Sequence, residues 1–140
     1  MKVNESKYTV DDFVRMALDE FPRLRAEFEE DAGLLHLQMH AFTRLAQRAK
    51  GEGEWDTYRR CVQLAGRLWS RPNAELLNAL NVSFLEHLDF DGPRGPEAWK
   101  HLSQALQEGW KAMRAYNEAV AARIAPKRRE RPPRPRRKHR

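Results

Sequence analysis

The sequence predicts an all-α protein: a compact bundle or helical-hairpin stack of five to six helices, with a long C-terminal helix and a disordered basic tail. Three observations carry the prediction. Apolar residues recur at spacings of three and four over most of the chain. No segment sustains the apolar–polar alternation of a half-buried strand. Gly33, Gly51, Gly53, Pro72 and the stretch DFDGPRGP fall between the periodic runs and punctuate them.

Each element follows from its own pattern. Thr9 stands three residues before Asp12, the spacing of a capping box, and Phe13, Met16, Ala17 and Phe21 then mark a helix over about 10–21. Pro22 opens a second, short helix that reads to Asp31 with Leu24 and Phe28 inward. Leu35, Met39, Phe42, Ala46 and Ala49 form the stripe of a third helix, broken by Gly51 and Gly53. Trp55, Tyr58, Val62, Ala65 and Trp69 form a fourth, which ends before Pro72. Asn73 is a good N-cap for NAELLNALNVSFLEHL, whose apolar residues cover most of its circumference and predict a central, buried helix. Pro96 starts the longest helix, with a stripe from Trp99 through Leu106, Trp110, Met113, Tyr116 and Val120 to Ile124. Nearly 30 residues at 1.5 Å each make it roughly 45 Å long. Such a stripe also suits a dimer seam.

Charge divides the chain. At 140 residues and a net charge of +6 it fits one domain, which excludes most multidomain enzymes. The segment 127–140 holds Lys127, Arg128, Arg129, Arg131, Arg134, Arg136, Arg137, Lys138 and Arg140 against the single acid Glu130. That is +8, leaving 17 bases and 19 acids, or −2, on the rest. The predicted division is therefore a helical domain over 1–125 and an Arg/Pro-rich tail over 126–140, with too little apolar surface to offset ordering entropy. One cysteine excludes an internal disulfide framework, and no run approaches the roughly 18 apolar residues of a membrane span. The first residues lack the apolar segment of a secretory signal, so the expected location is cytoplasmic.

Candidate chemistry is sparse. His36 and His40 lie one turn apart, a spacing that can hold a metal, but residue 37 is Leu where a zinc-protease helix carries Glu. The structural reading has His36 hydrogen-bonded near the core and His40 solvated. Asn78, Asn81, Ser83, Glu86 and His87 are the polar residues of the apolar helix after Asn73. With His36 they form a candidate polar cluster, read either as a network that fixes helix register or as an acid/base pair of Glu86 with a histidine. Cys61 reads as a small core residue, and the four tryptophans as packing. No phosphate loop, nucleophile elbow or CxxC is present, so no enzyme activity, metal or cofactor is expected. The tail suits phosphates, with steep salt dependence, or serves only as a solubilising extension.

The segments GLLHLQMHAFTRLA (33–46) and NALNVSFLEHL (78–88) carry a resemblance. With His36, Met39 and Arg44 in the first, and Val82, Ser83, Phe84, Leu85, Glu86 and Leu88 in the second, the chain resembles a family of small, uncharacterised bacterial all-helical proteins, some of immunity type. It departs from the family pattern at His40-Ala41, where Gly-Asp is usual. The resemblance implies a protein that binds and blocks a cognate effector. The expected function is a non-enzymatic protein-interaction module, an immunity protein whose acidic residues Glu27, Glu29, Glu30 and Asp31 meet basic groups of a nuclease-like toxin. The alternative is nucleic-acid or polyanion binding through the tail. A third reading, a metal-dependent enzyme using His36, His40 and Glu86, competes with both.

Overall fold

The first helix starts with a reciprocal cap: the Asp12 amide donates to Thr9 Oγ1 at 3.1 Å, and the Thr9 amide donates to the Asp12 carboxylate at 2.8 Å. A computed structural model describes the backbone of residues 6–130 and the side chains through Ile124. Helix α1 (Val10–Glu20) is followed by a 3-10 turn at Pro22–Leu24 and the short α2 (Arg25–Glu30). Helices α3 (Leu35–Glu52) and α4 (Trp55–Ser70) form an antiparallel hairpin, because Gly53 at φ 70° ends α3 in the left-handed region and leaves two linking residues. After α5 (Ala74–Ala79) come a π-helical turn at Leu80–Phe84 and a 3-10 turn at Leu85–His87, then α6 (Gly95–Lys100) and α7 (Gln104–Glu130). The described residues hold seven α-helices and no strand beyond one isolated bridge, in which Tyr8 pairs with Pro72. None of these helices is long and apolar enough to cross a membrane.

Phe42 of α3 sits at the centre of the core. Its ring lies 5.7 Å from Phe13 of α1 and 5.6 Å from Phe84 of the π-helical turn, and 6.3 Å from Phe21. These contacts join α1, the residue that ends it, α3 and the π-helical turn through one side chain, and all four rings are buried. Cys61 is fully buried, as expected of a core residue, and burial pushes its thiol up to about 12.

Two predicted helices are divided. Residues 73–88 read as one helix, yet the chain passes from α to π to 3-10 geometry. A hydroxyl from α3 meets the backbone where the geometry changes: Thr43 Oγ1 lies 2.8 Å from the Ser83 carbonyl and 2.8 Å from that of Met39. The Ser83 carbonyl thus has a partner across the helix interface. Burial is also one-sided, since Leu77 and Val82 stay 38% and 41% exposed. Residues 96–125 are likewise split, because Ser103 Oγ accepts from the Leu106 amide at 3.2 Å and caps a new helix.

Helix α7 runs parallel to α4. Ser103 and Leu106 face Gly66, and further along Gly109 packs so closely that a Cβ there would stand 2.6 Å from Trp69 Cζ2. Trp110 closes a box with Phe90 and Trp99, at centroid distances of 5.2 and 5.4 Å, and donates to the Leu88 carbonyl at 3.2 Å. Beyond Met113 the apolar stripe overruns the body: Tyr116 is 69% and Ile124 49% exposed. The helix continues through Pro126 to Glu130, past the predicted boundary at 125. The rest of the predicted tail, 131–140, lies outside the described residues, as do the side chains of 125–130.

Candidate functional site

The residues nominated from sequence do not form one cluster. Only Ser83 is buried; Asn78, Glu86 and His87 are exposed and Asn81 is half-buried. The central helix expected to enclose them covers one side only, which leaves their polar ends in solvent. Two separate pairs form instead. His36, on the first turn of α3, is exposed and places Nδ1 2.8 Å from Ser83 Oγ. His40, one turn on, is half-buried and meets His87 edge to face at 5.1 Å.

His40, expected in solvent, is thus the more enclosed of the two helical histidines. Burial lowers its pKa below the usual 6.5, helped by the positive charge of His87, Arg44 and His36. His87 is held by its backbone, whose carbonyl accepts from Gln47 Nε2. Glu86 makes no hydrogen bond to His36 or His87, so the acid/base pairing expected as one reading does not form among the described residues. No group of three metal-ligating side chains occurs among the described residues.

The His36 end of α3 opens onto a depression of about 380 Å³ lined by Gly33, Leu34, Leu37, Glu75 and Asn78. It shares Gly33, Leu35 and Glu75 with a second, of about 320 Å³, that reaches α1 and α2. The floor of the joint groove is apolar, with Val14 and Leu18 from α1, Phe28 from α2 and Leu35 from α3. Its charged lining consists of Asp11, Glu29 and Glu75, with no Lys or Arg among the described residues that line it. Leu34 and Leu37 stand beside it, 52% and 46% exposed.

Two other depressions carry mixed charge: Arg15, Arg60 and Arg67 with Asp19 and Glu20 between α1 and α4, and Arg23, Arg44 and Arg48 with Glu27 between the α2 region and α3. Arg60 pairs with Glu20 and Arg44 with Glu27 across them. Of the acidic residues picked out along α2, Glu29 lines the groove, while Glu27 accepts from Arg44 at 2.8 Å.

Sequence reasoning missed the groove although a signal was present. Leu34 and Leu37 fall out of phase with the Leu35, Met39, Phe42 stripe, so a helix that buries the stripe exposes them. In the sequence Glu75 reads only as an acid in the first turn after the Asn73 cap, where the helix dipole favours it, and its position beside Leu34 depends on a contact between distant segments. No curated protein and no solved structure matches the chain. Residues 14–118 of the 140 match the model of a family described as a domain of unknown function (DUF7674), and the chain belongs to that family.

Proposed function

We propose that this chain is a non-enzymatic protein-interaction module of the immunity type, which binds a cognate toxin and blocks its working surface. The observation that carries this reading is the joint groove, with an apolar floor, exposed leucines at its mouth and only carboxylates among its charged lining. Exposed apolar surface rimmed by polar groups marks interaction sites, because its burial supplies affinity while the charges select the partner. A basic partner segment that carries apolar side chains is the complement. The two mixed depressions, each with three arginines beside its carboxylates, suit such a segment less well.

The test is co-expression with the product of the adjacent gene. The expected result is a one-to-one complex and relief of any toxicity, both lost in Leu34→Glu/Leu37→Glu with the helical circular dichroism retained. A complex that tolerates this double substitution, or the absence of any complex, overturns the reading.

The nine basic residues of 127–140 favour a second reading, polyanion binding through the tail. Replacing them with glutamine should flatten the salt dependence of binding to DNA or RNA. Unchanged affinity and slope would remove that reading.

A further inference from the structure

We infer that the exposed part of helix α7 is an interaction surface for a second copy of the chain: in a two-fold dimer, α7 of each protomer lies over the groove of the other. From the proposed function this takes only that the groove is a binding surface.

The stripe on α7 cannot be covered from within. The helix packs on the body as far as Met113, and beyond it Tyr116 and Ile124 are 69% and 49% exposed. The helix is continuous through this stretch, so it cannot bend back over its own body, and only another molecule can cover these side chains. The groove has the matching need. Leu34 and Leu37 at its mouth are 52% and 46% exposed, beside a floor of Val14, Leu18, Phe28 and Leu35. Each helix-to-groove contact takes apolar surface of both kinds out of water.

Topology brings the two together. Helix α7 follows α4 in the same direction, with Leu106 at Gly66 and Gly109 at Trp69, so it leaves the body at the C-terminal end of α4. The antiparallel hairpin puts the start of α3, with Leu34 and Leu37, at that same end. Tyr8 is tied there to the α4–α5 junction: its amide donates to the Arg71 carbonyl at 2.8 Å, and the Asn73 amide donates to the Tyr8 carbonyl at 2.8 Å. Asp11 and Glu75 stand a few residues from this tie, and both line the groove. Helix and groove therefore share one end of the molecule. Two copies that meet there about a two-fold axis exchange helices reciprocally, and the contact closes at two.

Charge favours this exchange over a seam of two α7 helices. Residues 114–130 hold Arg114, Arg123, Lys127, Arg128 and Arg129 against Glu118 and Glu130, a net +3. A seam sets this charge beside its own copy, whereas the groove presents Asp11, Glu29 and Glu75. Among the described residues Asp11 and Glu75 have no ion-pair partner, and Glu29 has only Arg25 at 3.7 Å. Tyr116 carries a hydroxyl beyond an apolar ring, which suits a leucine-lined surface rimmed by carboxylates. The isolated chain thus hides its apolar surface until a basic partner displaces the second copy and leaves a one-to-one complex.

Sedimentation of the full chain is the test. The expected result is a monomer–dimer equilibrium that weakens with salt. Leu34→Glu/Leu37→Glu and Tyr116→Asp/Ile124→Asp replace only exposed side chains, and each should raise the dimer dissociation constant by more than about tenfold. Mixed at millimolar concentration, the two variants should recover a heterodimer, because the helix of the first still fits the groove of the second. A parent chain that stays monomeric, or a mixture that does, overturns the proposal. Loss of the dimer in the α7 variant alone assigns it to a seam of two α7 helices and overturns the proposal equally, as does loss in the groove variant alone. The groove itself is judged separately, by binding of the adjacent gene product to Tyr116→Asp/Ile124→Asp. Binding there, with no dimer in the parent chain, rejects the second copy and keeps the binding surface; the absence of both rejects both.

Discussion

Helix α3 and the segment 74–88 are both apolar stretches flanked by turn signals, and they behave differently. Helix α3 runs unbroken from Leu35 to Glu52, while the other changes helical type twice within its length. The difference lies in what each gives its neighbour. Helix α3 supplies side chains: Thr43 reaches the Ser83 carbonyl, His36 the Ser83 hydroxyl, and Gln47 the His87 carbonyl. The segment 74–88 supplies two backbone carbonyls and one hydroxyl, and of these a longer regular helix would have used the Ser83 carbonyl in its own ladder. A helix stays regular when its neighbour asks only for its side chains.

Phe42 and Phe84 provide the largest test. Truncating a buried phenylalanine costs about 3–5 kcal/mol, and Phe42 touches three aromatic rings where Phe84 touches one. Phe42→Ala should therefore lower the urea midpoint more than Phe84→Ala, and the reverse order would contradict the central place given to α3. Thr43→Val comes next. It removes the hydroxyl while keeping the shape, and leaves the Ser83 carbonyl without its partner at a cost of about 1–3 kcal/mol. If the π-helical turn instead relaxes to a regular α-helix, amide exchange across 80–87 will slow and the loss will be small, which would identify Thr43 as the cause of the turn. Ser83→Ala removes the half-exposed link to His36 and should cost about 1 kcal/mol, read from the same unfolding curves.

The smallest effect is pH. His40 has a folded pKa below the unfolded 6.5, so the unfolded chain binds the proton more readily. The contribution of His40 to stability is complete above 6.5 and declines as pH falls through that value toward the lower folded pKa. His40→Gln should flatten this part of the stability–pH curve, and an unchanged slope would show that His40 is not responsible.

Periodicity located most of the core because burial on one helix face is a local property. The stripes Leu35–Met39–Phe42 and Tyr58–Val62–Ala65 are buried as read. It failed where contacts come from far along the chain. Thr43 and Ser83 are 40 residues apart, and nothing in NALNVSFLEHL announces the hydroxyl that meets its backbone at the turn. The split at Ser103 had a local signal, a serine three residues before Leu106, hidden because the Trp99–Leu102–Leu106 spacing stays in phase across the break. For the candidate site, His36 was legible and its groove was not, since Asp11, Glu29 and Glu75 converge only after three helices pack.

The tie between Tyr8 and the α4–α5 junction also sets an order of events. It joins positions more than 60 residues apart, so its two backbone hydrogen bonds carry the entropy of closing that loop, whereas the α3–α4 hairpin closes over two linking residues. The hairpin can form early and the tie late, when α1 has already docked on α3. Residues ahead of Tyr8 then act as a ripcord: force applied there loads the last-formed junction first, and α1 peels away before the hairpin yields.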